Sequence, residues 1–320
     1  MFASIIIPAH NAEKTISGCL NSVLNQNSSK KFEIIVVDDG STDGTAREIK
    51  KIKSGKIKYF FQKNSGPAKA RNFGAKKAFG RIIIFIDSDC MAEKNWLEEM
   101  MAPFKKKDIA GVQGAYKTKQ KEFMAKFSQI EIEERYERMK RAKEIDWIGS
   151  YSAAYDKKIF FEVGGFNESF PIASGEDPEL SYRLQESGHK IFFNTEAIVY
   201  HSHQKTLADY LKTKFFRAYY RPQMYKNHKL KMISDSYTPQ TLKLQIICFY
   251  AILASLALSV LNSLWFLIAV GILITHFLLG AKFFAFALKK NIKVAFASPL
   301  ILFLRSGVFG LGLIWGKLNG

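Results

Sequence analysis

The chain has 320 residues and a formal net charge of +18. That length admits one or two domains with a sizeable core, and the basic excess leaves nucleic acid, an anionic membrane face and phosphorylated substrates as candidate partners. The only cysteines, Cys19, Cys90 and Cys248, have no metal-like spacing, which argues against a disulfide framework and fits a reducing compartment.

The N-terminus opens on a strand-like run, Ser4 to Ile7, followed by Pro8. It lacks a basic n-region and an adequate h-region, so no signal peptide is expected. Further strand signals lie at Glu33 to Val37, Ile57 to Phe61 and Ile82 to Ile86. Helical patterns separate them at Glu13 to Gln26, Thr45 to Lys53 and Ala68 to Phe79. This alternation predicts βαβ units, hence an α/β fold with a Rossmann-like, mostly parallel sheet. Glu122 to Glu144 is a long charged helical stretch expected to pack one stripe and solvate the rest.

Polar clusters follow the strands, where open parallel sheets place their ligand crevice. The second strand ends in Asp38-Asp39-Gly40-Ser41-Thr42-Asp43. Its carboxylates suit a base N–H or a ribose hydroxyl; equally, the segment suits a turn and N-cap. Neither G-x-G-x-x-G nor a P-loop is present, which argues against a nicotinamide enzyme and a P-loop nucleotidase. Asn64 to Asn72 enters a helix with Lys69 and Arg71 on its first turns, placed either to steer a diphosphate or as ordinary surface charge. The apolar run Ile82 to Ile86 feeds Asp87-Ser88-Asp89, which offers oxygen ligands for Mg2+ or Mn2+ or else a capped turn. Pro178 suits a first helical turn and puts Glu176 and Asp177 at the helix entrance, as a cap or a general base. After the strand Ala197 to Tyr200, alternation places His201 and His203 on one face, as a ligand pair or as unrelated histidines.

The C-terminal part differs. His203 to Met232 interleaves lysine and arginine with Phe215, Phe216, Tyr219, Tyr220 and Tyr225. Beside apolar runs, such a mixture favours helices on a membrane surface over single-stranded nucleic-acid binding. Leu244 to Leu261, Leu264 to Ala281 and Ala295 to Trp315 approach the length needed to cross hydrocarbon. The third contains Pro299 and Arg305 and reads as a span, a re-entrant segment or an interfacial helix. Lys282, Lys289, Lys290 and Lys293 lie between the second and third runs, so the positive-inside rule puts them and the N-terminal domain in the cytoplasm. The expected division is 1–203, 204–241 and 242–320, with two or three helices in the last.

Ile7-Pro8-Ala9-His10-Asn11, the VVDDGSTDGT segment, Gly66 to Gly74, Asp87-Ser88-Asp89, Gly164-Gly165-Phe166 and Gly175 to Leu184, in this order, resemble an inverting family 2 glycosyltransferase of the GT-A fold over about residues 1–203. The resemblance implies that Pro8, Ala9, His10, Asp38, Asp39, Lys69, Arg71, Asp87 and Ser88 bind a UDP- or GDP-sugar. It implies that Asp87, Asp89 and His201 hold Mg2+ or Mn2+, and that Asp177, with Glu176 beside it, is the catalytic base. Trp147, Gly165 and Arg183 would line the acceptor and sugar pocket. Many relatives carry tyrosine where His10 stands. The Q-x-x-R-W segment of processive synthases is missing from Lys214 to Arg221, which argues for a non-processive enzyme. Because a polyprenyl phosphate acceptor needs no base, the Glu176-Asp177 pair favours a hydroxyl on a lipid-linked or envelope glycan. The alternatives are a polyprenyl-phosphate glycosyltransferase and a non-catalytic, membrane-tethered binding protein. The expected location is the cell membrane, multi-pass, with no nucleic-acid partner.

Overall fold

A computed structural model of the chain describes residues 2–106, 108–141, 144–233, 235–236 and 238–319. They divide into two units, Met1–Lys119 with Met139–Ser202, and Gln120–Arg138 with His203–Gly320. The stretch 120–138, which the sequence left inside 1–203, therefore groups with the C-terminal residues.

The first unit is built on a sheet of β1 (Ala3–Ala9), β2 (Phe32–Asp39), β3 (Ile57–Gln62), β4 (Ile82–Ile86), β5 (Met91–Ala92), β6 (Ile109–Lys117), β7 (Ser152–Asp156) and β8 (Lys190–Tyr200). Their order is β3-β2-β1-β4-β7-β6-β8-β5. The first four pair in parallel, as the alternation predicts. β7 then enters antiparallel between β4 and β6, with Ile86 opposite Ser152. Sequence reading missed β6 and β7. Glycines interrupt the first, and Ser-Ala-Ala-Tyr-Asp has little β-propensity of its own; pairing on both edges decides it. Every residue of β4 is fully buried, as expected for a central strand covered on both faces.

The helices of this unit are α1 (Ile16–Leu24), α2 (Thr45–Lys51), α3 (Pro67–Lys77), α4 (Trp96–Met101), α6 (Lys157–Glu162) and α7 (Glu176–Glu186), with α5 (Phe123–Arg141) running mostly in the other unit. Helix α1 starts later than the expected Glu13 because the backbone before it is engaged elsewhere. Ala12 N–H donates to Thr45 Oγ1 at 2.7 Å and Glu13 N–H to Asp43 Oδ2 at 3.1 Å. Asp43 Oδ1 also accepts from Thr45 N at 3.0 Å, so one carboxylate binds the starts of both helices. Helix α3 begins at Pro67 after Gly66, whose φ of +93° favours glycine.

The second unit contains α5, α8 (Leu207–Tyr219), α9 (Arg221–Tyr225), α10 (Lys229–Ile233), α11 (Gln240–Leu258), α12 (Leu264–Leu279), α13 (Ala281–Leu288) and α14 (Ile292–Asn319). Met124, Phe127 and Ile130 form the buried stripe expected of α5, against Tyr210, Val294 and Ile301. Among the described residues α11 and α14 are long and apolar enough to cross a membrane, and α12 with α13 makes a third candidate bent by 47°. The bend follows Leu279, so Lys282 lies on α13 rather than in a loop. Helix α14 continues through Pro299. That proline lacks the N–H that would reach the Ala295 carbonyl, and Ser298 Oγ donates to this carbonyl instead at 2.7 Å. Gly312 and Gly316 allow α14 to meet α8 so closely that a Cβ at either position would collide with α8 backbone. The basic segment is not wholly outward-facing: Lys214 is 8% exposed and its Nζ lies 2.6 Å from Glu131 Oε2.

Candidate active site

The parallel strands deliver their C-terminal ends, and the polar residues that follow them, to one edge of the first unit. After β1, His10 is exposed, with Nδ1 2.8 Å from the Asp39 carbonyl oxygen. Asn11, next to it, has φ +50°, and its side-chain oxygen accepts from Thr42 N at 2.9 Å. Pro8 is half-buried and Ala9 buried beneath this edge.

The two aspartates that end β2 serve the protein first. Asp38, 1% exposed, accepts from Ser41 N at 2.9 Å and from the Tyr59 hydroxyl at 2.8 Å. Burial, followed by the bond to Asp38, pushes the Tyr59 hydroxyl up to about 12. Asp39, 5% exposed, accepts from Gln62 Nε2, Ser65 N and Gly66 N at 2.7–2.9 Å. It thereby fixes the turn that launches α3. Lys69, on the first turn of α3, is exposed.

Arg71 is elsewhere. It is 3% exposed and donates from Nη2 to Asp87 Oδ1 and from Nη1 to Glu176 Oε1, both at 3.0 Å. Its guanidinium lies 5.6 Å from the Phe166 ring centroid. The sequence placed Arg71 at the nucleotide; the structure gives it a buried bridge between the end of β4 and the start of α7. The carboxylates around Arg71 hold it more firmly protonated than usual, against the opposing effect of burial.

Asp87 and Asp89 have separated. While Asp87 faces Arg71, Asp89 lies with His201, its Oδ2 3.3 Å from Nε2. Asp89, Cys90 and His201 bring one ligand atom each within 4.8 Å of one another. Burial pushes the Cys90 thiol up, and the nearby Asp87 and Asp89 charges push it further; a soft sulfur ligand also suits Mn2+ or Mg2+ less well than oxygen or nitrogen. Burial also acts to raise Asp89, but its bond to His201 outweighs this and holds the carboxyl below its usual range. A carboxylate and an imidazole with 43% of the carboxylate side chain exposed fit Mn2+ or Mg2+ that completes its shell with phosphate and water. Asp87 stands outside this group. Ser88 is half-buried between the two. The Tyr116 ring, stacked on Tyr151, lies 4.7 Å from His201 between centroids.

His203 does not join His201, contrary to the alternation reading. Strand β8 ends at Tyr200, and His203 belongs to the second unit, with Nε2 2.9 Å from Gln129 Oε1.

Helix α7 presents the second pair of carboxylates. Glu176, 1% exposed, is held by Arg71 and by Ser174 N at 2.8 Å. Burial pushes its carboxyl up and Arg71 opposes this. Asp177 is half-buried. Its Oδ2 accepts from Ser150 N at 3.0 Å and Ser150 Oγ at 3.2 Å, while its Oδ1 is buried and accepts from no protein donor. Burial, then the charge of Glu176, pushes Asp177 up to about 7 against the opposing pull of Arg71. The loop that carries Ser150 is tied to the same helix: Ile148 N donates to Ser181 Oγ at 2.9 Å, which donates to the Asp177 carbonyl at 2.7 Å. Ser150 was invisible to sequence reading, because a lone loop serine carries no signal.

Of the expected pocket residues, Trp147 is half-buried in that loop. Gly165 and Arg183 serve the turn instead. Gly165 has φ +67°, and a Cβ there would meet Asn72 and Phe160. Arg183 donates to the carbonyls of Val163 and Gly165 while paired with Glu179 at 2.6 Å. Asn72 closes the other side, donating to the Phe166 carbonyl at 2.8 Å and accepting from its N–H at 2.9 Å.

The sequence model of the domain described as glycosyl transferase family 2 matches residues 4–164. The chain belongs to glycosyl transferase family 2. The match ends before α7, so Asp177 and His201 lie beyond it. Among curated family members, glycosyltransferase AglE of Haloferax volcanii is 28% identical over 224 residues, which cover 67% of this chain and 71% of AglE. An uncharacterized glycosyltransferase of Rickettsia bellii is 47% identical over 96 residues, 30% of this chain but only 14% of that protein. The chain thus spans a small part of its rickettsial relatives. The mannosyltransferase PcManGT of Pyrobaculum calidifontis, solved in complex with GDP-Man and Mn2+, matches with a TM-score of 0.62 at 19% identity, over 98% of this chain and 87% of that one. S. aureus TarS 1–349 gives 0.51 at 20% identity, over 100% and 91%. At such identities the likeness is one of fold, and it bears out the expected GT-A architecture.

Proposed function

We propose that this family 2 member is a membrane-anchored, non-processive inverting glycosyltransferase that moves a sugar from a UDP- or GDP-sugar to a hydroxyl of a lipid-linked or envelope glycan. The observation that carries the reading is Asp177, a carboxylate with one oxygen fixed by Ser150, the other without a protein donor, and an affinity for protons near neutrality. A general base works best with its pKa close to the operating pH.

In the proposed reaction, the Asp177 carboxylate takes the proton of the acceptor hydroxyl as that oxygen bonds to the anomeric carbon. The bond from this carbon to the diphosphate oxygen breaks, its electron pair leaves with the nucleoside diphosphate, and the configuration inverts. Asp89 and His201 would hold a divalent ion, which supplies neutralising charge for the departing diphosphate. Arg71 keeps Asp87 and Glu176 in place, and Glu176 lifts the proton affinity of its neighbour. The Mn2+ and GDP-Man of the Pyrobaculum enzyme support a metal and a nucleotide sugar here. The apolar helices α11 and α14 support anchoring, and Lys282, Lys289 and Lys293 support a cytoplasmic catalytic unit.

The test is transfer from a panel of UDP- and GDP-sugars, with the product anomer assigned by NMR. An inverted linkage is expected; a retained one refutes the mechanism. Electron paramagnetic resonance titration should show Mn2+ binding weakened at least tenfold by Asp89→Asn or His201→Ala, and unchanged binding in both removes the metal from this junction.

A further inference from the structure

Strand β6 carries a buried polar side chain that the proposed chemistry leaves unused. Gln113 is 1% exposed and is the one polar residue in the stretch Ala110 to Ala115. A buried amide is costly unless its atoms are bonded. Here Oε1 accepts from Gly149 N, while Nε2 donates to the Ser152 carbonyl at 3.4 Å and to the Gly114 carbonyl at 2.5 Å. One side chain therefore grips both ends of the turn from Gly149 to Ser152. Ser152 N closes that turn by donating to the Gly149 carbonyl at 3.3 Å. Trp96 Nε1 pins its far end, donating to Ser152 Oγ at 2.8 Å. Gly114 lets Ser152 sit this close to β6, since a Cβ there would collide with the Ser152 side chain.

The same turn holds the base. Three consecutive N–H groups each go to a different side chain: Ile148 to Ser181 Oγ at 2.9 Å, Gly149 to Gln113 Oε1, and Ser150 to Asp177 Oδ2 at 3.0 Å. Ile148, Gly149 and Ser150 are all buried, so water does not compete for these donors. Adjacent peptide planes share a Cα and only two soft dihedrals. Fixing the first two N–H directions therefore narrows the third. That third bond is the one made to a carboxylate, and such charge-assisted bonds are the strong ones. It favours the ionised form of Asp177, against burial and the charge of Glu176.

We propose that Gln113 is a positioning residue for the reaction: by holding Gly149 it aims the Ser150 N–H at the Asp177 carboxylate. This inference rests on the reading of Asp177 as the general base and names a residue on another strand that keeps it tuned. Gln113 acts through the turn rather than on the reacting atoms. The charged and titratable groups that face Asp177 are Glu176 on its own helix, Arg71 from α3, Asp87 beyond β4 and the Tyr155 hydroxyl from β7. A substitution at Gln113 leaves all four in the chain, so Ser150 carries its effect. The direction is diagnostic. A misaimed N–H destabilises the carboxylate and raises its affinity for a proton. Loosening that merely admits water lowers that affinity, because burial is the chief cause of its rise.

The test is Gln113→Met in the full chain, a change that keeps length and volume but offers Gly149 no acceptor. The Asp177 ionisation is read without turnover, as the pH at which the stability difference between each background and its Asp177→Asn counterpart levels off. In the parent that pH is about 7. In Gln113→Met it should rise by about 0.5–1, which is a proton affinity about three- to tenfold higher. The acid limb of kcat/KM should move up by the same amount, with KM for the donor unchanged. Ser181→Ala, which takes the acceptor from Ile148 N, should shift both readouts in the same direction, and it decides the question if Gln113→Met does not fold. An ionisation that stays in place or moves down overturns the proposal, whatever happens to Tm, and makes Gln113 a packing residue. A raised ionisation beside a kcat/KM limb that does not move removes Asp177 as the base and leaves the hold of Gln113 on it standing. A limb and an ionisation that rise together support both.

Discussion

Replacing Asp177 with asparagine should abolish transfer and stabilise the protein. A carboxyl moved from 3.8 to about 7 carries about 4 kcal/mol of preference for its neutral form. The folded state holds the proton more tightly than the unfolded state, so the charged form is a burden on folding at neutral pH. The sign follows. Below the unfolded pKa of 3.8 the burden is absent; it grows as pH rises and is complete above about 7. Asparagine is neutral at every pH, and its amide oxygen can still accept from Ser150, but its NH2 group enters a buried position with no acceptor. Subtracting that loss leaves a net gain of roughly 1–3 kcal/mol at pH 8. For a unit of this size the gain is a rise of about 3–8 °C in apparent Tm. The burden itself falls to roughly a third by pH 5 and about a tenth by pH 4 while the amide loss stays, so the net gain should vanish near pH 5 and become a loss at pH 4. Thermal unfolding of parent and Asp177→Asn at pH 4, 5 and 8 measures this, with donor binding as a control for an intact nucleotide site. A variant no more stable than the parent at pH 8, or a gain that ignores pH, would refute the assignment of a burdened base. In the parent, kcat/KM should rise with pH through an ionisation near 7.

Two other substitutions separate structural ion pairs from chemistry. Arg71→Met strips the partner from Glu176, which is 1% exposed, and should cost roughly 3–5 kcal/mol in denaturant unfolding. Adding Glu176→Gln should recover most of it; no recovery would mean that Arg71 acts through other contacts. Glu131→Gln removes the charge that opposes the desolvation of Lys214, whose amine burial already pushes down to about 7. The folded-state pKa then falls further below its unfolded value, so the variant should unfold readily at pH 6 and regain stability as pH rises toward 10. A loss that is flat with pH would exclude the lysine as its source.

The strand Ile82–Ile86 and its acidic sequel were legible because a buried parallel strand announces itself as an unbroken apolar run. The entrance of α7 was legible too, since Pro178 and the adjacent carboxylates are local signals. What escaped was set at long range. Arg71 looked like a cation on an exposed helical turn, and only the arrival of Glu176, 105 residues later, buries it. Asp87 and Asp89 looked alike, yet one meets Arg71 and the other His201. His201 and His203 looked paired until the strand stopped at Tyr200, and the inserted β7 had no pattern because its neighbours, not its residues, make it a strand.

The insertion of β7 beside β4 sets a fixed spacing at the site. Ile86 and Ser152 face each other across one ladder, so Asp87 and Ser150, which stand just past those two residues, are spaced by backbone pairing rather than by loops. The segment from Lys157 to Gly175, by contrast, leaves from the far end of β7 and returns at α7. It is pinned to the same unit at a few points, with Phe160, Phe166 and Phe170 buried and the Phe166 backbone bonded on both sides by Asn72, so a change of length there is confined to the exposed stretches between those anchors.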